Sequence, residues 1–168
     1  MSSKVTVRPA RTGDVRAIQA MRQQLEGSKV LLGHELVTLY EAVPEFLVAV
    51  DDTDSVIGAG ALHVMWEDLA EVRSMVVAEN LRGTGVGHAL LEALLAKAQS
   101  VGIKRVFCLT FETEFFGKHG FHEISDVPVD EATFEQMVRS HDDGVAEFLD
   151  LARVKANTLG NTRMLKTL

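Results

Sequence analysis

"EVRSMVVAENLRGTGVGHALLEALLAKAQSVG", residues 71–102, decides how this chain folds. Its opening is a β-branched run and reads as a strand. From Val86 onward Leu90, Leu94 and Ala98, joined by Leu91, Leu95 and Val101, build a broad apolar helical face. That pattern predicts a helix from Val86 to about Ser100, ended at Gly102 and buried against a sheet. Between the two lies "RGTGVG", residues 82–87, with glycine at every second position. A strand, glycine loop and helix in succession gather backbone N–H groups at a helix N-terminus. Orphan donors and the helix dipole there favour an anion such as a phosphate. The dinucleotide pattern G-x-G-x-x-G fails, because its last position falls on His88 or Leu90, and no Gly-Lys-Ser/Thr follows for a Walker loop. A plain tight turn is the competing reading of the loop on its own.

Working outward, "KVTVRPA" alternates and ends as a strand at Pro9, and Thr12 or Asp14 can cap a helix over "VRAIQAMRQQLEG". "HELVTLYEAV" reads as a second short helix. "EFLVAVDD" and "VIGAGALHVMW" read as a hairpin around "DDTDS", with Gly58 and Gly60 marking a bulge or a close backbone approach. "RVFCLTF" is a strand, "ETEFFGKHG" a short helix closed by Gly120, and "FHEI" a strand start. Beyond them a helix from Asp130 to His141 and an edge strand in "TRMLKTL" are expected. This order is that of a mixed α/β domain.

The 168 residues suit one domain, with ordinary globular composition: 46% apolar and 24% charged. A net charge of −7 argues against non-specific nucleic-acid binding, which depends on Lys and Arg at phosphates. The N-terminal residues lack a signal-peptide core and no apolar run reaches about 20 residues, so a cytoplasmic protein without membrane contact is expected. The single cysteine, Cys108, sits in an apolar run and reads as a buried hydrophobe with no partner for a disulfide or a metal site.

The loop after "VVAENL" resembles the Arg/Gln-x-x-Gly-x-Gly/Ala loop of the GCN5-related N-acetyltransferase superfamily, and "FFGKHGF" resembles that superfamily's later helix-to-strand segment. The resemblance covers at least Lys4 to Ile124. It implies a mixed, mostly antiparallel twisted sheet with splayed central strands flanked by helices, here splaying near Val72 to Ala78 and Arg105 to Phe111. Acetyl-CoA would be the co-substrate, with no metal. Backbone groups of Met75, Val76 and Val77 would bind the pantetheine arm as an added strand. Amides of Arg82, Gly83, Thr84, Gly85, Val86, Gly87 and His88 would hold the pyrophosphate.

Over "KVLLGHELVTLYEAV", "GALHVMWEDLAEVRSMVV", "RVFCLTFETEFFGKHGF" and "GVAEFLDLARVKANTLGNTRML" the chain is similar to short stand-alone bacterial N-acetylglutamate synthases. That similarity implies a single N-acetyltransferase domain over residues 1–168, a free amino-acid acceptor and a homodimer. It leaves no room for the arginine-sensing domain of longer synthases. L-Glutamate is the leading acceptor, although Gly33 and His34 stand where longer synthases tend to carry arginine, which keeps glutamine or aspartate open. Lys29, His34, Arg73 and Arg163 are the candidates to hold its carboxylates, Arg163 first because "NTRML" resembles the substrate-side strand of the synthases. Glu71 matches a glutamate at the start of the corresponding strand and is the candidate general base, with Glu67 and His63 as alternatives. Phe116 stands where many members have a tyrosine that protonates the departing thiolate. It would instead pack against the thioester arm, leaving water, Thr110 or Thr113 as proton donor. A peptide N-terminal acetyltransferase and a non-catalytic acyl-CoA sensor would share the same loop.

Overall fold

The computed structural model describes residues 4–26, 34–154 and 160–168. Its strands are β1 (Thr6–Pro9), β2 (Phe46–Val50), β3 (Val56–Trp66), β4 (Leu69–Val77), β5 (Arg105–Thr110), β6 (His122–Glu123) and β7 (Thr162–Thr167). The α-helices are α1 (Val15–Glu26), α2 (His34–Glu41), α3 (Val86–Ser100), α4 (Thr113–Lys118), α5 (Glu131–Met137) and α6 (Asp143–Phe148). Strand neighbours run β1-β2-β3-β4-β5-β7-β6. β1–β2, β2–β3, β5–β7 and β6–β7 pair antiparallel, whereas β4–β5 is parallel, so the sheet is mixed and mostly antiparallel. The parallel ladder joins only Leu69, Ala70 and Glu71 to Arg105, Val106 and Phe107. β4 then runs on to Val77 and β5 to Thr110.

The chain divides into two compact units, Met1–Leu62 with Val72–Lys97 and His63–Glu71 with Ala98–Leu168. In the first, Val15, Ile18 and Met21 of α1 and Leu39 of α2 pack on Phe46, Val48, Val50, Ala59, Ala61 and Val76. The i, i+3, i+6 spacing on α1 meets alternate positions of the strands. Gly58 and Gly60 admit α3 closely: a Cβ on Gly58 would stand 2.9 Å from Leu90 Cδ1, and one on Gly60 would stand 2.9 Å from Leu94 Cδ1. Close approach is therefore a role of both, and the β2–β3 register also shifts beside Gly58, between Ala49 and Val50. Asp14 sits in a 3-10 turn (Thr12–Asp14) preceding α1 and accepts from Arg8 Nη1 at 2.8 Å and from the Arg11 amide at 2.8 Å, tying that turn to β1.

In the second unit Leu69, Phe107, Ile124, Met137, Val145, Phe148, Leu149 and Leu165 form the core. Phe107 and Phe148 meet edge to face with centroids 5.4 Å apart, a geometry that adds about 0.5–1.5 kcal/mol to their burial. Two expectations change here. The helix foreseen from Asp130 to His141 is shorter, α5 ending at Met137 and capped by Asp130 on the Thr133 amide at 2.7 Å, and beyond it lies a helix that was not foreseen, α6, capped by Asp142 on the Val145 amide at 3.0 Å. Each aspartate satisfies an orphan first-turn donor and so starts its own helix. The "TRMLKTL" strand is not at the edge, because β7 lies between β5 and β6, with Met164 and Leu165 buried.

Candidate active site

The glycine loop belongs to the first unit. A 3-10 turn (Glu79–Leu81) leads into it, the Thr84 amide donates to Leu81 O at 3.2 Å, and Gly83 and Gly85 adopt φ of 81° and 95°. A Cβ at either position would meet nothing within 4 Å. Conformation therefore selects glycine here, since L residues pay for left-handed backbone. Val86 is buried and seats the helix, and the Ala89 amide makes the bond to Gly85 O. The amides of Val86, Gly87 and His88 precede it, in the turn where N–H groups have no acceptor within the helix. Arg82, Thr84 and His88 are exposed around this N-terminus.

Sequence reasoning missed one feature of β4. Ser74 has φ of 57°, a left-handed residue inside a strand, and the three residues Arg73 to Met75 are half-buried between buried Val72 and Val76. Such an outlier costs on the order of 1–3 kcal/mol and persists where the surroundings hold it. It sits immediately before Met75–Val77. Serine carries no strong turn signal, so nothing in the alternation announced it.

The second unit holds the acid–base groups. Glu71, the third residue of β4, is 5% exposed. Its carboxyl lies against the start of α6: a Cβ placed on Gly144 would stand 2.9 Å from Glu71 Cδ and 3.0 Å from Asp142 Oδ2. His63 Nε2 is 3.7 Å from Asp142 Oδ1. Cys108 on β5 is buried, and burial, reinforced by the charge of Glu71, pushes its thiol up out of the range in which it ionises. Glu67 is exposed in the β3–β4 turn, which removes it from this cluster.

Other candidates fall elsewhere. Arg163 is 6% exposed, and its guanidinium is committed to backbone carbonyls: Nε donates to Glu147 O at 3.0 Å, and Nη2 to Asp126 O at 2.9 Å and to Phe148 O. Two of these carbonyls belong to the last turn of α6, and desolvation lowers the guanidinium's proton affinity. It pins α6 rather than waiting for a carboxylate. Phe116 packs edge to face on Phe115 and Phe121, with both centroid distances 5.2 Å. Thr110 Oγ1 accepts from the Glu112 amide at 2.8 Å, and Thr113 begins α4. Arg73 is half-buried on β4. His34 begins the backbone of α2, while Lys29 lies outside the described residues. Among those residues no helix is long and apolar enough to cross a membrane.

A glycine loop at a helix N-terminus, reached from an irregular strand, suits the binding of a phosphate-bearing carrier. Comparison with known proteins agrees: the Acetyltransferase (GNAT) family matches residues 18–123. The chain belongs to that family. It is 54% identical over 164 residues to an amino-acid acetyltransferase of Mycobacterium tuberculosis strain H37Rv, spanning 96% of this chain and 94% of that protein. A Mycobacterium tuberculosis protein solved in complex with CoA and NLQ is similar in structure, with a TM-score of 0.89, 53% identity and coverage of 97% and 99% of the two chains. N-acetylglutamate synthase from Neisseria gonorrhoeae, solved with coenzyme A and N-acetyl-glutamate, shares the fold at a TM-score of 0.75 and 24% identity. It spans all of this chain and 36% of that one. The GNAT fold thus accounts for the mixed sheet and for the short parallel ladder.

Proposed function

We propose that this chain transfers the acetyl group of acetyl-CoA to the α-amino group of L-glutamate, its 168 residues acting as one N-acetyltransferase domain. The coarser statement stands on family membership and on the 54% identity over nearly the whole chain: it is an acetyl-CoA-dependent amino-acid N-acetyltransferase. The observation that carries the acid–base reading is Glu71, a buried carboxyl at the start of the strand that continues into Met75–Val77 and the glycine loop.

In this reading the amides of Val86, Gly87 and His88 hold the pyrophosphate, and Met75–Val77 hold the pantetheine arm through their backbone. Glu71 takes a proton from the acceptor's ammonium, through water, so that the free lone pair attacks the thioester carbonyl. The tetrahedral intermediate collapses with loss of CoA thiolate, which takes up the nitrogen's second proton through water, and yields the amide and CoA thiol. Lys29, His34 and Arg73 are the cations proposed for the glutamate carboxylates, each charged hydrogen bond contributing roughly 1.5–3 kcal/mol. The test is CoA release measured with single amino acids and with short peptides. Release with L-glutamate, at a higher kcat/KM than with any peptide, supports the reading, and release with peptides alone refutes it.

A further inference from the structure

A base that is 5% exposed has poor access to bulk water, yet it must lose its proton before the next turnover. Met65 and Leu69 both pack on the cluster around Phe107 and Phe148. Side chains two apart on a strand share a face, so His63 follows Met65 and Glu71 follows Leu69 to that same side. Asp142, at the head of α6, lies near each of them. Its Oδ2 accepts from the Val145 amide at 3.0 Å, and its Oδ1 faces His63 Nε2 at 3.7 Å. Glu71 Cδ and Asp142 Oδ2 each lie about 3 Å from the point where a Gly144 Cβ would be. The two carboxyl groups are therefore within about 6 Å, the range over which neighbouring charges govern protonation. The His63 side chain is 26% exposed and so reaches the solvent that Glu71 does not. Cys108 on β5 also feels the charge of Glu71, and its thiol stays protonated.

We infer that His63, held by Asp142 as its positioning residue, carries off the proton that Glu71 takes from the acceptor amine. The inference rests on the acid–base role proposed for Glu71. The carboxylate accepts a proton from the substrate ammonium and becomes a carboxylic acid. The acid gives that proton, through water, to neutral His63, which becomes an imidazolium faced by the Asp142 carboxylate, as aspartate stabilises imidazolium in catalytic dyads. The imidazolium releases the proton to solvent, and all three groups return to their starting states.

Two measurements test this. The first is an NMR titration of the His63 imidazole in the ligand-free wild type, Glu71→Gln and Asp142→Asn; asparagine still caps a helix, so α6 is retained. Removing the Asp142 charge, 3.7 Å from Nε2, lowers the His63 midpoint by roughly one pH unit, and removing the Glu71 charge lowers it by a smaller amount. A midpoint unmoved in Asp142→Asn, or in a folded Glu71→Gln, overturns the inference whatever the acceptor proves to be. The second is turnover of His63→Ala. kcat falls by about 10²-fold or more with KM for acetyl-CoA unchanged, and added imidazole restores it in proportion to its neutral fraction. Unchanged kcat, or loss without rescue, overturns the relay. Wild-type protein that acetylates no amino acid refutes the proposed acceptor and leaves the NMR midpoints to decide the coupling.

Discussion

Gly144→Ala separates a helix effect from a contact with Glu71. In α6 an alanine should stabilise, by about 0.5–1 kcal/mol over glycine, because it narrows the unfolded ensemble. The added Cβ would nevertheless stand 2.9 Å from Glu71 Cδ and 3.0 Å from Asp142 Oδ2, closer than such atoms tolerate without movement. Both neighbours are constrained: Glu71 is 5% exposed in a paired strand and Asp142 is fixed by its cap. Overpacking of this kind costs about 1–3 kcal/mol, which exceeds the helix gain, so the variant is destabilised. In a Glu71→Ala background the nearer obstacle is gone and only Asp142 Oδ2 at 3.0 Å remains, so the same substitution costs less. Urea unfolding of the four proteins, read by circular dichroism, closes the cycle with a coupling of about 1–3 kcal/mol. In the single variant a displaced Glu71 carboxyl lowers kcat by about 10²-fold, as an ångström of misplacement does. If Gly144→Ala shifts stability by the same amount and sign in both backgrounds, the contact does not exist and the positioning argument falls with it.

Gly85→Val forces a β-branched residue to a φ of 95°, so about 1–3 kcal/mol of stability and at least a tenfold loss of CoA affinity are expected; calorimetric titration giving wild-type affinity would remove the loop from the carrier site. Phe116→Tyr puts a hydroxyl among Phe115 and Phe121, so stability falls by about 1–3 kcal/mol while kcat changes less than tenfold, and a rise of two orders of magnitude would show a missing acid had been limiting. The Arg8 guanidinium, opposed in part by burial and aided by the Arg11 amide, holds the Asp14 carboxyl below its ordinary 3.8. Its stabilisation is present above that value and lost as pH falls through the lower folded value, so the stability gap between wild type and Asp14→Asn narrows toward pH 3; a gap of constant size would contradict it.

The glycine loop and the helix after it were legible because one short segment combines a β-branched run, three glycines and a 3.6-residue apolar period. β3 was legible from end to end, and Gly58 and Gly60 announced a close approach whose partner, α3, only the structure names. Three features were hidden, for different reasons. Ser74 bends β4 through a backbone angle that its side chain does not signal. Asp142 caps a six-residue helix too short to show a period, so α6 went unread while the helix before it was drawn four residues too long, to His141 in place of Met137. Arg163 lies in a strand whose sequence gives its charge, but its partners are carbonyls contributed by a distant turn. A charge in a sequence identifies a donor and leaves its acceptor open.

Competition among acceptors tests the central claim most directly. Purified protein is given equimolar L-glutamate, L-glutamine and L-aspartate with acetyl-CoA carrying a labelled acetyl group, and the early products are counted by mass spectrometry. Product ratios then equal the ratios of kcat/KM. The account predicts labelled N-acetylglutamate as the main product, formed in step with CoA. A main product from either competitor, or CoA release with no acetylated amino acid, contradicts it.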